Sequence, residues 1–141
     1  MAGIEVDESR FPLVVVTFEG QLADHEFDRY LLTMSRVLQR RAKNAIVFDA
    51  RRAAAPTAMQ RSKQAAWLKS NRAAIQQYSC GSVFVITSAL IRGGLTAILW
   101  ISPIPGAHTV VSTLAEGEAW ALGRLAAEGV ALPVSKTAGN A

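Results

Sequence analysis

The chain is poor in the side chains on which most catalytic and metal chemistry depends. It has one cysteine, Cys80, and two histidines, His25 and His108, in 141 residues. A lone cysteine excludes an internal disulfide framework. With no Cys–His or His–His pair at ligand spacing, no metal site of the usual kind is expected. Aromatic residues make up only 7% of the chain and are not interleaved with its bases. That argues against nucleic acid as a partner, because base stacking needs aromatic faces beside cations. There is neither a Walker loop nor a dinucleotide fingerprint, so no cofactor is expected. Long apolar runs are missing too: the longest, Ser82 to Ala107, is interrupted by Arg92, Gly93, Gly94, Pro103 and Pro105. It falls short of the roughly 18 residues that a spanning helix needs. Glu5, Asp7 and Glu8 stand where a signal peptide would carry lysines, so the expectation is a cytoplasmic chain without a transmembrane segment.

What is present is apolar. Half of the residues are hydrophobic and the mean hydropathy is +0.20, which is enough to bury a core and excludes wholesale disorder. The length fits one domain, taken as residues 1–132, followed by a frayed, aperiodic tail over 133–141. Charge is arranged in blocks. Residues 1–28 hold seven acids and one base, and residues 29–72 hold eleven bases and one acid, Asp49. A basic block of that size either forms solvated helix faces or draws an acidic partner.

Strands and helices alternate along the chain. Phe11–Phe18, Ala45–Ala50, Ser82–Thr87 and His108–Ser112 read as short, buried, β-branched strands, with Ile4–Val6 as a further short strand. Asp24 is placed as the N-cap of a helix whose apolar face is Phe27, Tyr30, Leu31, Met34, Val37 and Leu38. Thr57 and Gln60 match a capping box that opens a helix running to Tyr78, with Met59, Ala66, Trp67, Ile75 and Tyr78 inward. Ser88 caps a helix from Ala89 to Ile101, which the following prolines end. Thr113 and Glu116 open the closing helix, whose inner face is traced by Ala119, Leu122, Leu125 and Ala126. Buried, non-alternating strands separated by helices imply an α/β fold. The expectation is a single, mostly parallel mixed sheet of four to five strands flanked by four helices.

FPLVVVTFEGQL followed by a helix, AIVFDARR ending in an acid, SVFVITSALIRGGLTAILW and the closing TVVSTLAEGEAWAL together carry a likeness. Over roughly Ile4 to Ala127 the chain resembles the STAS domain of bacterial anti-sigma factor antagonists. That resemblance implies a small regulatory domain that docks onto another protein. Switchable members of the family carry an aspartate–serine pair after the third strand, where a kinase phosphorylates the serine. Here the stretch reads ARRAAAPTAMQRS, and its hydroxyls are Thr57, read as a cap, and Ser62, so a switch of that kind is not expected.

Two functions from different classes follow. In the first, a non-enzymatic regulatory module docks onto a protein partner, acidic in character, or onto itself. Its interface would be the apolar helix and loop with Leu95, Ile98, Leu99, Trp100 and Ile104, which carry apolar groups around more than one side. In the second, a small anionic ligand (phosphate, nucleotide or lipid head group) binds at the strand-end rim of Asp49, Arg51, Arg52, Arg92 and Gly93. Ligands of open α/β sheets gather at such ends, and arginine with backbone amides suits an anion. Asp49 could instead be a turn acid paired locally with arginine. Cys80, expected at the amino end of a strand, reads as a structural thiol.

Overall fold

In the computed structural model, residues 3–89, 91–93, 95 and 104–132 are described. Five strands form one sheet in the order β1-β2-β3-β4-β5: β1 Gly3–Arg10, β2 Leu13–Gly20, β3 Asn44–Ala53, β4 Ser79–Val85 and β5 His108–Val111. β1 runs antiparallel to β2, and every other pairing is parallel. The helices are α1 Asp24–Gln39, α2 Ala58–Ser70, α3 Arg72–Tyr78 and α4 Leu114–Ala127. Residues 89, 91–93 and 95 are also helical. The structure is therefore the single α/β domain with a mostly parallel sheet that the alternation implies.

The two faces of the sheet are covered unequally. Residues alternate between faces along a strand, so Val14, Val16 and Ile46 meet Phe27, Tyr30, Met34 and Val37 of α1 on one side. Farther along that side Ala65 and Leu68 of α2 and Ile75 of α3 pack with Leu38. On the opposite side Leu13, Ala45, Val47, Val83 and Val85 pack against Ala121 and Leu125 of α4. Coverage on both sides is why β3 and β4 read as unbroken apolar runs. Gly117 lets α4 approach closely: a Cβ there would lie 3.0 Å from Val85 Cγ2.

Several expectations need correction. The first strand is no short adjunct, since β1 spans eight residues and pairs with β2 from Gly3↔Glu19 to Arg10↔Leu13. Its outward acids hide it from a search for apolar runs. The N-cap of α1 is Ala23, not Asp24. Glu26 supplies the first-turn acceptor instead, its Oε1 taking the Ala23 N–H at 3.2 Å. Asp24 turns aside to accept Gln60 Nε2 at 3.2 Å.

The helix expected to run from Pro56 to Tyr78 breaks at Asn71. The Asn71 side-chain amide donates to the Trp67 carbonyl at 2.9 Å, alongside the residue's own backbone N–H at 3.0 Å. Asparagine side chains compete with the helical ladder in this way. The inner face of α2 is Gln60, Ala65 and Leu68, while Met59 is 61% exposed and Ala66 lies outward. On α4 the buried residues are Gly117, Ala121 and Leu125, and Ala119 and Ala126 are exposed. Gln60 and Gly117 hold core positions that a hydrophobicity pattern assigns to larger apolar neighbours.

Candidate functional site

β3 carries the expected rim further than a strand end. Asp49, Arg51 and Arg52 all lie inside it. Asp49 and Arg51 are two residues apart, beside a shift in the β2–β3 register, and they close on each other. Asp49 Oδ1 accepts Arg51 Nε at 2.9 Å and its backbone N–H at 3.2 Å, and Oδ2 accepts Arg51 Nη2 at 2.8 Å. Those bonds from Arg51 hold the buried carboxyl below its usual range, although burial alone would raise it. Alternation puts Asp49 on the face of Val47, which packs with α4. Arg92 follows Ile91, which packs with Ala50 and Ile86 on the opposite face. Arg92 and Gly93 are exposed helical residues. Arg52 is exposed and lies across from Glu19.

The remaining reactive types sit in structural positions. Cys80 is 1% exposed, and burial pushes its thiol up from the ordinary range. Its carbonyl accepts Arg124 Nε at 2.9 Å. Among the described residues no group of three or more His, Cys, Asp or Glu is placed to hold a metal ion. No described helix is long and apolar enough to cross a membrane. Of the expected apolar interface, Ile104 is buried beside Leu38, Ala65, Leu68 and Ile75, and Leu95 is half-buried against Ala50, Ile86 and Ile91. Ile98, Leu99 and Trp100 lie outside the described residues, as does the tail over 133–141.

Two features were not legible in the sequence. The first is a ridge made by α1 and α2, which run side by side in the same direction. Three bonds fix their alignment: Gln60 Nε2 to Asp24 Oδ1, Lys63 Nζ to Asp28 Oδ1 at 2.8 Å, and Trp67 Nε1 to Ser35 Oγ at 2.9 Å. On the outer side of this pair Leu32 is 52% and Met59 61% exposed. Arg29 and Arg36, one helical turn either side of Leu32, are also exposed. At the head of α2 the Thr57 hydroxyl accepts the Gln60 N–H at 3.1 Å, and Gln60 Oε1 accepts the Thr57 N–H at 3.2 Å. The expected capping box is therefore present, and it occupies the Thr57 hydroxyl.

The second feature is a cavity of about 170 Å³ between the sheet and the inner sides of these helices. Its sheet wall carries Phe18, Phe48 and Phe84, with Phe48 stacked on Phe84 at 5.0 Å and Phe18 on Phe48 at 6.4 Å. Tyr30 meets Phe18 edge-on at 5.3 Å, and burial drives its hydroxyl pKa well upward.

Comparison with known proteins places this architecture. No family model matches the chain, and no curated protein matches its sequence. Solved structures do match its fold. One is an uncharacterized protein of the DUF3478 family with a SpoIIAA-like fold from Shewanella loihica PV-4, at 12% identity and a TM-score of 0.58. It covers 86% of this chain and 95% of its own. Another is an anti-sigma factor antagonist from Mycobacterium paratuberculosis, at 15% identity and a TM-score of 0.55, covering 86% of this chain and 94% of its own. The fold is thus STAS-like, in agreement with the resemblance drawn from the strand and helix order.

Proposed function

We propose that the chain is a non-enzymatic regulatory module that docks onto a partner protein through the outer ridge of α1 and α2. The observation that carries this reading is the pair of large apolar side chains left in solvent there, Leu32 and Met59. Contiguous apolar patches rimmed by polar residues mark interaction sites. Here the rim is cationic around Leu32, with Arg29 and Arg36 exposed beside it. Such a surface suits an acidic partner with an apolar contact at its centre, since complementary charge steers encounter while the buried apolar contacts supply most of the affinity. The likeness to an anti-sigma factor antagonist supports a regulatory role for the same fold.

No covalent switch is needed. The Thr57 hydroxyl is held in the cap of α2, and Ser62 is an exposed helix residue. The test is affinity capture with the wild-type chain, with Leu32→Glu/Met59→Glu, and with Val110→Thr as a control on another exposed apolar residue. The ridge variant should keep its thermal midpoint and lose the captured protein, and the control should retain it. Equal capture by all three would reject the ridge as the docking surface.

A further inference from the structure

Buried polar atoms in folded proteins nearly always have a hydrogen-bond partner. Asn44 departs from that rule. Its side chain is buried, and its Nδ2 donates to the Ala42 carbonyl at 3.1 Å. Its Oδ1 is the one buried side-chain nitrogen or oxygen among the described residues that has no partner. Asn44 lines the 170 Å³ cavity. Alternate residues of a strand point to one face, so Asn44 emerges on the same side of β3 as the lining residues Ile46, Phe48 and Ala50. Ser82 of β4 pairs with Ile46, is 6% exposed and lines the cavity as well. Asn44 and Ser82 are therefore diagonal neighbours across two parallel strands. They give a largely apolar cavity one polar corner, at the amino ends of β3 and β4.

We propose that this cavity binds a single-ring aromatic compound of the phenol class, whose O–H donates to Asn44 Oδ1 and whose oxygen accepts the Ser82 hydroxyl. Size sets the first limit. An apolar cavity of roughly 150 Å³ inside a packed core stays dry and takes up benzene, so 170 Å³ suits one ring with an atom or two added. No preformed mouth is called for. Charge sets the second limit. Among the described lining residues none is an acid, a lysine, an arginine or a histidine, and an ion buried without a counter-charge is costly. Length sets the third. From Ser82 to Phe84 is two residue steps, about 7 Å at ~3.3 Å each, so an oxygen held at Ser82 lays its ring toward Phe84, which stacks on Phe48 at 5.0 Å. Two other polar side chains of the lining are committed elsewhere: Gln60 to Thr57, Leu22 and Asp24, and Trp67 to Ser35. A hydroxyl at the corner supplies the bond that Asn44 Oδ1 lacks, whereas a methyl there leaves the oxygen orphaned. The proposal does not rest on the docking ridge, which uses the outer sides of the same helices.

The test uses the full chain, with phenol, toluene and benzoate as probes. Phenol binding, read by calorimetry, should be saturable. Toluene has phenol's size with a methyl in place of the hydroxyl, and Asn44→Leu keeps the side-chain volume while removing the acceptor. The preference for phenol over toluene should therefore fall by about fivefold from wild type to Asn44→Leu. Benzoate should bind roughly tenfold more weakly than phenol. In methyl-labelled wild-type protein, the ring protons of bound phenol should show nuclear Overhauser contacts to Ile46. This measurement needs no variant and stands even where Asn44→Leu fails to fold.

Absence of saturable phenol binding would overturn the proposal. So would Overhauser contacts from phenol to the exposed Leu32 with none to Ile46, which describes adsorption to the surface. An unchanged preference for phenol over toluene in Asn44→Leu would overturn the assignment of the hydroxyl to Asn44. Benzoate bound as tightly as phenol would overturn the neutral class of ligand.

Discussion

Asp49 shows how one side chain can invite a functional reading and turn out to be engaged locally. An acid at the end of an apolar strand looks like a ligand or a base, but three hydrogen bonds from Arg51 occupy it. The Arg51 side chain is 40% exposed, so the pair is discounted for solvent screening to about 1 kcal/mol. The folded carboxyl has a lower pKa than the unfolded one. The unfolded chain therefore binds more protons in that window, and stability falls as pH drops through it. At neutral pH Asp49→Asn should lose about 1 kcal/mol relative to wild type in urea unfolding. The gap should close as pH falls below about 3.9. A gap independent of pH would show that the charge of Asp49 contributes nothing.

Gln60 makes the opposite point, as a polar residue acting as core. Replacing it with leucine keeps the volume but leaves the Leu22 carbonyl and the Thr57 N–H without their partners. Buried groups orphaned in this way cost about 1–3 kcal/mol, so Gln60→Leu should be less stable by that order in the same unfolding experiment. An unchanged midpoint would mean that water replaces both bonds without loss.

Among the elements, α2 depends most on its first turn. The Thr57 cap and the return bond from Gln60 fix where the helix begins, and Gln60 then ties that start to α1. Thr57→Ala should cost about 1 kcal/mol and Thr57→Ser much less, as read from paired denaturant melts. Equal losses would indicate that the hydroxyl does not cap. The opening of this helix was legible because a capping box is a local pattern. Its facing was not, because a buried glutamine cannot be told from an exposed one by hydrophobicity. On α4 the same blindness applies to Gly117, which is buried because the helix must approach Val85 and Val47 closely. The strands β3 and β4 were legible over Ala45–Ala50 and Ser82–Val85, where the run is apolar, but not over Arg51–Ala53 or Ser79–Gly81, where it is not. The outward acids of Gly3–Arg10 obscured the extent of β1.

At the scale of the whole molecule, the charge blocks of the sequence become cross-links of the fold. Arg40 meets Glu8 at 3.2 Å, Lys43 meets Glu128 at 3.0 Å and Arg10 meets Glu118 at 3.1 Å. Two of the eleven bases of residues 29–72, Arg40 and Lys43, are thereby matched across elements that lie far apart in the chain. What stays outward on α1 includes Arg29 and Arg36 beside Leu32. Neither the ridge nor the cavity could be read from the linear chain. The ridge exists because α1 and α2 align in parallel, and the cavity is the space those helices leave unfilled over the sheet.

The docking claim is tested most directly by placing a photoreactive amino acid at position 59 or 32 in cells, with position 110 as the reference. The account predicts one discrete protein cross-linked from both ridge positions and not from position 110. If that product has twice the chain's mass, the partner is a second copy. No product from the ridge, or the same products from all three positions, would contradict the account.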